Sequence, residues 1–282
     1  MNKHLRGVTP LLVAALTLAN ASSGAQDVRS LAVNAPLGTA GSFAVLGAST
    51  VTNTGPSVHN GDLGVFPGAA IVGFPPGAIT GTLHAGDAVA GTAQTDLVTA
   101  YNALAVQPCD VNLTGQDLGG LTLTPGVYCF NTSAQLTGTL TLNALGNPGA
   151  VWVFQMGSTI TTASASAVTF INGGQACGAF WQVGSSATIG SGTSFRGNVL
   201  ALASITMNTG ASSAGALFAR TGAVTLDTNA VAVVGSCGFG PPPPPPTPVP
   251  TPVPPVPTLP DLAAGGLLAV LLATGALVLS RR

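Results

Sequence analysis

Between residues 134 and 234 one short pattern recurs: TLNALG from Thr141, TITTAS from Thr159, TIGSGT from Thr188, TMNTGA from Thr206 and TLDTNA from Thr225. Three of the four intervals between these starts are nearly equal, and the one from Thr159 to Thr188 is longer. Within each copy apolar and polar residues alternate, as in a strand with one buried and one exposed face. An irregular period of about 18–20 residues, rich in small side chains, predicts stacked β-coils. One coil cannot bury its apolar face alone; stacked neighbours share a continuous core.

The alternation assigns the faces. Leu142, Ile160, Ile189, Met207 and Leu226 form an inward column, flanked by outward Thr141, Thr159, Thr188, Thr206 and Thr225. After a Gly or Ala turn comes a second polar column, Thr162, Ser191, Thr209 and Thr228, with Ser194 and Ser212 three residues beyond two of its members. The stretch TNTGPSVHNG (52–61) repeats much of TMNTGASSAG (206–215) and fits the same columns through Thr54 and Ser57. More apolar strands, AVWVFQM (150–156), FWQVG (180–184) and NVLALA (198–203), line the interior or face another element. One segment has the other period. Val89, Ala93, Leu97, Ala100, Tyr101 and Leu104 predict a helix over about residues 87–106, with Asp87 as N-cap and Pro108 beyond its end. Its apolar stripe should pack on one wall of the solenoid.

The ends of the chain differ from this middle. Lys3, His4 and Arg6 precede an apolar run from Val8 to Leu18, followed by small residues with candidate cleavage points after Ala21 and Ala25. The run is too short to span a bilayer and reads as an export signal over 1–25, leaving a solenoid domain over 26–240. Residues 241–260 are a Pro-rich spacer, expected as extended polyproline II. In the final segment, 261–282, Leu262 to Ser280 are uncharged and Arg281 and Arg282 close the chain. This predicts a single span with its arginines in the cytoplasm. The tripartite tail resembles a bacterial C-terminal sorting signal of the Ile-Pro-Thr-Leu type, with VPTLP at Val256–Pro260. That resemblance implies a sorting protease at the membrane and delivery to the cell surface.

Composition narrows the chemistry. Charged residues make up only 5% of the chain and there is no Glu. After removal of residues 1–25, five arginines face eight aspartates, a formal charge of −3, so nothing basic remains to hold a phosphate backbone. Cys109, Cys129, Cys177 and Cys237 lie too far apart for a zinc or redox motif, and in an exported chain they read as disulfides. Four cysteines allow three connectivities; Cys109–Cys129 with Cys177–Cys237 is favoured. The first would close a loop of about 20 residues and stabilise by on the order of 3 kcal/mol. No metal or cofactor is expected. His59 reads as a turn residue, His84 as the approach to the helix, Arg196 and Arg220 as solvated or end-capping, and Trp152 and Trp181 as core. The aspartates are scattered, which argues against a sugar-cleaving enzyme.

Four stretches, FAVLGASTVTNTGPSVHNGDLGVFPG (43–68), GFPPGAITGTLHAGDAVAGTAQTDLVTAYNAL (73–104), NLTGQDLGGLTLTPGVYCF (112–130) and GAFWQVGSSATIGSGTSFRGNVLALASITMNTGA (178–211), resemble in order the bacterial and fungal ice-binding-like family. The resemblance implies a mainly β fold: an irregular right-handed β-solenoid with one long flanking helix, its first coil stacked beside its last. The two NTGxS stretches would then be neighbours in space. It also implies a Thr-(Ala/Gly)-x-(Thr/Asn) pattern on an ice-binding face, which 54–57, 191–194 and 209–212 follow with Ser in the last place and 162–165 and 228–231 follow in part. The expected partner is ice, or water ordered on a Thr/Ser grid, and the expected state is a monomer. The competing expectation is a cell-surface structural or adhesion protein with the same fold.

Overall fold

The computed structural model describes residues 32–235. Each turn of the chain makes three short strands separated by tight corners. Small residues and left-handed backbone turn the corners: Ala165, Gly192, Gly210, Thr228 and Gly55 all have φ between 55 and 78° and follow one another from coil to coil along a single edge. Stacking the coils generates three parallel sheets of nine, seven and eight strands.

The seven-stranded sheet, here the Thr sheet, runs Ala134–Leu136, Ile160–Thr162, Ala187–Ile189, Ile205–Met207, Val224–Asp227, Thr50–Thr54, Ala70–Val72. The first described coil therefore lies inside the stack. Its first coil pairs with the last, Val51 opposite Val224 and Thr52 opposite Thr225, and its second coil covers the first. The NTGxS stretches are not adjacent, because the coil carrying Thr225 lies between them.

From the outermost strand at that end, Leu83–Ala85, the chain must reach Val111–Asn112 at the opposite edge of the nine-stranded sheet. Eight inter-strand steps cover about 38 Å. Helix α1 (Ala88–Ala105) supplies about 27 Å of this and its flanking residues the rest. Asp87 caps it as expected, accepting from the Ala90 N–H at 2.9 Å. That bond, with the neighbouring His84 imidazole at 2.7 Å, holds the Asp87 carboxyl below the usual carboxylate range. At the other end Gln155 Nε2 donates to the Leu104 and Gln107 carbonyls, satisfying acceptors that a helix terminus leaves open. The buried stripe is Ala90, Ala93, Gln94, Leu97, Ala100, Tyr101 and Leu104; Val89 faces solvent. Between its two exposed edge strands, the nine-stranded sheet is consequently buried on both sides. Phe43, Leu46, Val153, Phe180, Leu200 and Phe218 meet the helix, while Val45, Phe154, Trp181, Val199 and Leu217 fill the solenoid.

Coil length and core content go together. The longer coils begin at Tyr128 and Phe154, and Trp181 follows them in register at the head of the first short coil, with Phe154 and Trp181 stacked at 4.0 Å and 8°. Where the repeat shortens, Val199, Leu217 and Val45 take the same column. Both indole N–H groups donate to carbonyls, Trp152 to Leu123 and Trp181 to Arg196, confirming both as core residues.

Three expectations change. His59 is not a turn residue: it lies inside a strand, fully buried, with Val231 and Ile79 beside it in register and the Phe74 ring 5.5 Å away. Arg220 is not simply solvated, since its guanidinium lies over the Tyr101 ring at 4.3 Å and ties a corner to the helix. Cys109–Cys129 is the expected disulfide. Cys177 is also disulfide-bonded, and its expected partner Cys237 lies outside the described residues. So do the signal, the Pro-rich spacer and the C-terminal span. Among the described residues no helix is long and apolar enough to cross a membrane.

His59 makes the fold acid-sensitive. Neither ring nitrogen has a hydrogen-bond partner, Phe74, Val231 and Ile79 offer no charge, and burial pushes its pKa from 6.5 down to about 4. The unfolded chain binds this proton first, so the contribution is complete above pH 6.5 and declines as pH falls toward 4, by about 3 kcal/mol in all. Thermal denaturation across this range should show the decline, and His59→Leu should flatten it.

Candidate functional site

The outer face of the Thr sheet is built by a triplet, hydroxyl–apolar–Thr. It reads Thr50-Val51-Thr52, Thr159-Ile160-Thr161, Ser186-Ala187-Thr188 and Ser204-Ile205-Thr206, and in Ala223-Val224-Thr225 Ala replaces the first hydroxyl. The central residues are fully or almost fully buried, so the flanking pair points outward on every coil. Register aligns the pairs. One column is Gln135, Thr161, Thr188, Thr206, Thr225, Thr52 and Val72; the other is Ser133, Thr159, Ser186, Ser204, Ala223, Thr50 and Ala70. Coils repeat at about 4.8 Å and the columns stand about 6.7 Å apart. Adjacent hydroxyls meet, Thr52 with Thr225 at 3.5 Å and Thr159 with Ser133 at 3.0 Å. Ser186 and Ser204 each accept a backbone N–H from the next coil. A ladder of β hydrogen bonds over an apolar core holds this plane of methyls and hydroxyls in place.

Of the predicted positions, Thr188, Thr206 and Thr225 share one column. Thr54, exposed, lies at the rim opposite Asp227. Ser191 and Thr209 are exposed at the corner beside the sheet, where Gly192 N donates to the Thr209 carbonyl. Ser194 and Ser212 pair with each other on the eight-stranded third sheet, around the corner from the plane. Thr141 also belongs to the third sheet, between Thr122 and Thr169.

Three assignments are corrected. Thr162 is buried, because Thr161, not Thr159, aligns with Thr188; that shift along the strand turns Thr162 inward beside Ile189. Its hydroxyl accepts from Gly190 N and bonds Thr193. Ser57 is also buried: its hydroxyl donates to Asn53 Oδ1 and accepts from Asn229 N at 2.9 Å. Thr228 is exposed but out of column. Between Met207 and Ser212 stand four residues, and between Leu226 and Ala230 only three, so Thr228 takes the left-handed corner position of Gly210. Missing from the predicted set are Thr50, Thr52, Thr161, Ser186 and Ser204, all visible in the triplet.

These features define a β-solenoid with a flat hydroxyl-bearing sheet and a helical strut. The chain belongs to the Ice-binding-like family, whose model matches residues 45–232. It is 58% identical over 196 residues to an ice-binding protein of Nostoc sp. (strain HG1), covering 69% of this chain and 72% of that one. It is 35% identical to an ice-binding protein of Flavobacterium frigoris, covering 70% and 75%. Ice-binding protein 1 of Shewanella frigidimarina is 37% identical but much longer, with 25% of its length matched. Among solved structures, an ice-binding protein from an Antarctic biological consortium superposes with a TM-score of 0.70 at 46% identity, covering 72% of this chain and 92% of that one.

The buried and exposed hydroxyls should separate in mutagenesis. Ser57→Ala leaves the Asn229 N–H and an Asn53 oxygen without their partner and should destabilise by about 1–3 kcal/mol. Ser191→Ala, at the exposed corner, should stay within about 0.5 kcal/mol. Thermal unfolding of the two variants checks the assignment.

Proposed function

We propose that this protein binds ice by adsorption through the outer face of the Thr sheet. The supporting observation is the in-register double column of hydroxyl residues on a rigid, almost uncharged plane. Methyl groups order adjacent water and hydroxyls hydrogen-bond it, so a periodic array of both holds a layer of water that can join a growing crystal. Charged groups keep hydration shells of their own, and the strands of this sheet carry one ionisable side chain, Asp227.

The third sheet is a poorer candidate. Arg196 interrupts its outer face, and the small side chains of Ala214, Ala230 and Ala232 leave a shallow depression there. A crystal plane needs a matching flat surface, and a depression offers none.

Outside the described residues, we propose that 1–25 direct export, that the Pro-rich stretch carries the domain away from the membrane, and that 261–282 is a transient or permanent anchor processed as a sorting tail. The domain would then act as a monomer outside the cell, by surface adsorption and without catalysis or a cofactor.

Thr206 lies in the middle of the plane. Thr206→Tyr raises a ring above it and should abolish the gap between melting and freezing temperatures of a single ice crystal, with thermal stability unchanged. Ser194→Tyr, on the third sheet, should leave the gap intact. A round, freely growing ice disc in wild-type protein would refute ice binding and leave the surface-scaffold reading. Equal loss in both variants would refute the choice of face.

A further inference from the structure

The hydroxyl plane has a third potential column that is not used. Two residues beyond Thr52 and Thr225 on the same outward face stand Thr54 and Asp227, paired in register. Asp227 turns both carboxylate oxygens to hydroxyls of the corner: Oδ2 accepts from Thr209 and Oδ1 from Thr228 at 3.1 Å. Its backbone N–H is held by Asn229 Oδ1. Two exposed threonines whose positions suit water contact are thereby donating their protons sideways, to a charge.

We propose that Asp227 is the boundary of the ice-binding plane, a residue that limits how much of the face can carry ordered water. This rests on the assignment of ice binding to the Thr sheet. Two effects act together. A carboxylate binds its own water tightly and in a geometry set by the ion, so the water next to Thr54 and Thr225 follows Asp227 rather than the grid. The donation from Thr209 and Thr228 also removes their hydroxyl protons from water, leaving only lone pairs to face it. Thr54 sits in the same rim column without a second hydroxyl residue beside it.

Asp227→Asn removes the charge and nearly preserves the shape. Asp227→Thr places beside Thr54 the residue that Thr54 shows the rim accepts. Both should extend the usable plane by the two rim positions 54 and 227, beside the ten hydroxyls of the two columns, raising the melting–freezing gap by up to about 1.2-fold at equal molar concentration if activity follows area. Thermal unfolding identifies a variant that has kept its fold, and Asp227→Thr carries the test should Asn not fit the corner. Thr209→Val with Thr228→Val keeps the carboxylate and removes its donors; a boundary set by the charge predicts no gain in this variant. A folded Asp227→Asn or Asp227→Thr with a gap equal to or below wild type overturns the boundary role while wild-type activity upholds the ice reading. An inactive wild type overturns both.

Discussion

Everything in this molecule depends on the register of the parallel ladder from coil to coil. The pairings of Thr161 with Thr188, Thr188 with Thr206 and Thr206 with Thr225 put four hydroxyls in one line. The same register puts Ile160, Ala187, Ile205 and Val224 in another line directly beneath. A shift of one residue would exchange the two lines, burying hydroxyls and exposing isoleucines. The apolar column is therefore what enforces the polar one. The outer plane is flat and periodic because the buried side chains allow only one alignment of the strands above them.

The helix and the first coil protect that alignment. The stack still ends in open strand edges, Leu83–Ala85 and Val111–Asn112 on the nine-stranded sheet, but the first coil is not one of them. From the first described coil, inside the stack, the chain builds outward, returns along α1 to the far end and winds back to that coil. Strand Phe43–Gly47 is thereby paired on both sides, with Leu217–Ala219 and with Asp62–Val65. The contact closes a long excursion, and Gln94 fastens it by donating to the Gly47 and Ala219 carbonyls at once. One side chain on the strut thus bridges the first coil and the last.

The stacked-coil fold, the helix with its cap, and the core role of both tryptophans were legible in the sequence, because period-two alternation, helical spacing and an N-capping Asp are local signals. Placement of individual hydroxyls was less so. TITTAS offers three threonines as the partner of Thr188, and only the triplet Thr159-Ile160-Thr161 decides among them. The corner at Asp227–Asn229 is one residue short, so counting forward from Thr209 lands on Thr228 although Asp227 occupies the column. His59 is polar in a polar-looking string, and its burial follows from parity within Val58–Asn60. The two hydroxyl discrepancies fall at a turn or a change of period, where local pattern stops reporting the long-range register.

Thr and Ser serve two opposed purposes here, and side-chain parity decides which. Ser57, Ser166, Thr193 and Thr162 line an inner corner, where their hydroxyls satisfy backbone groups that the turns leave unpaired. Thr52, Thr161, Thr188, Thr206 and Thr225 face out, where the same hydroxyl is left to water. The inner set lets small polar residues turn a tight corner without bulky side chains. That corner in turn sets the edge of the outer plane. A sequence this poor in charge can use one residue type for both tasks, because neither role needs ion pairing. The single carboxylate on the Thr sheet then stands out physically: it binds two of the hydroxyls at the corner where the inner seam and the outer plane meet.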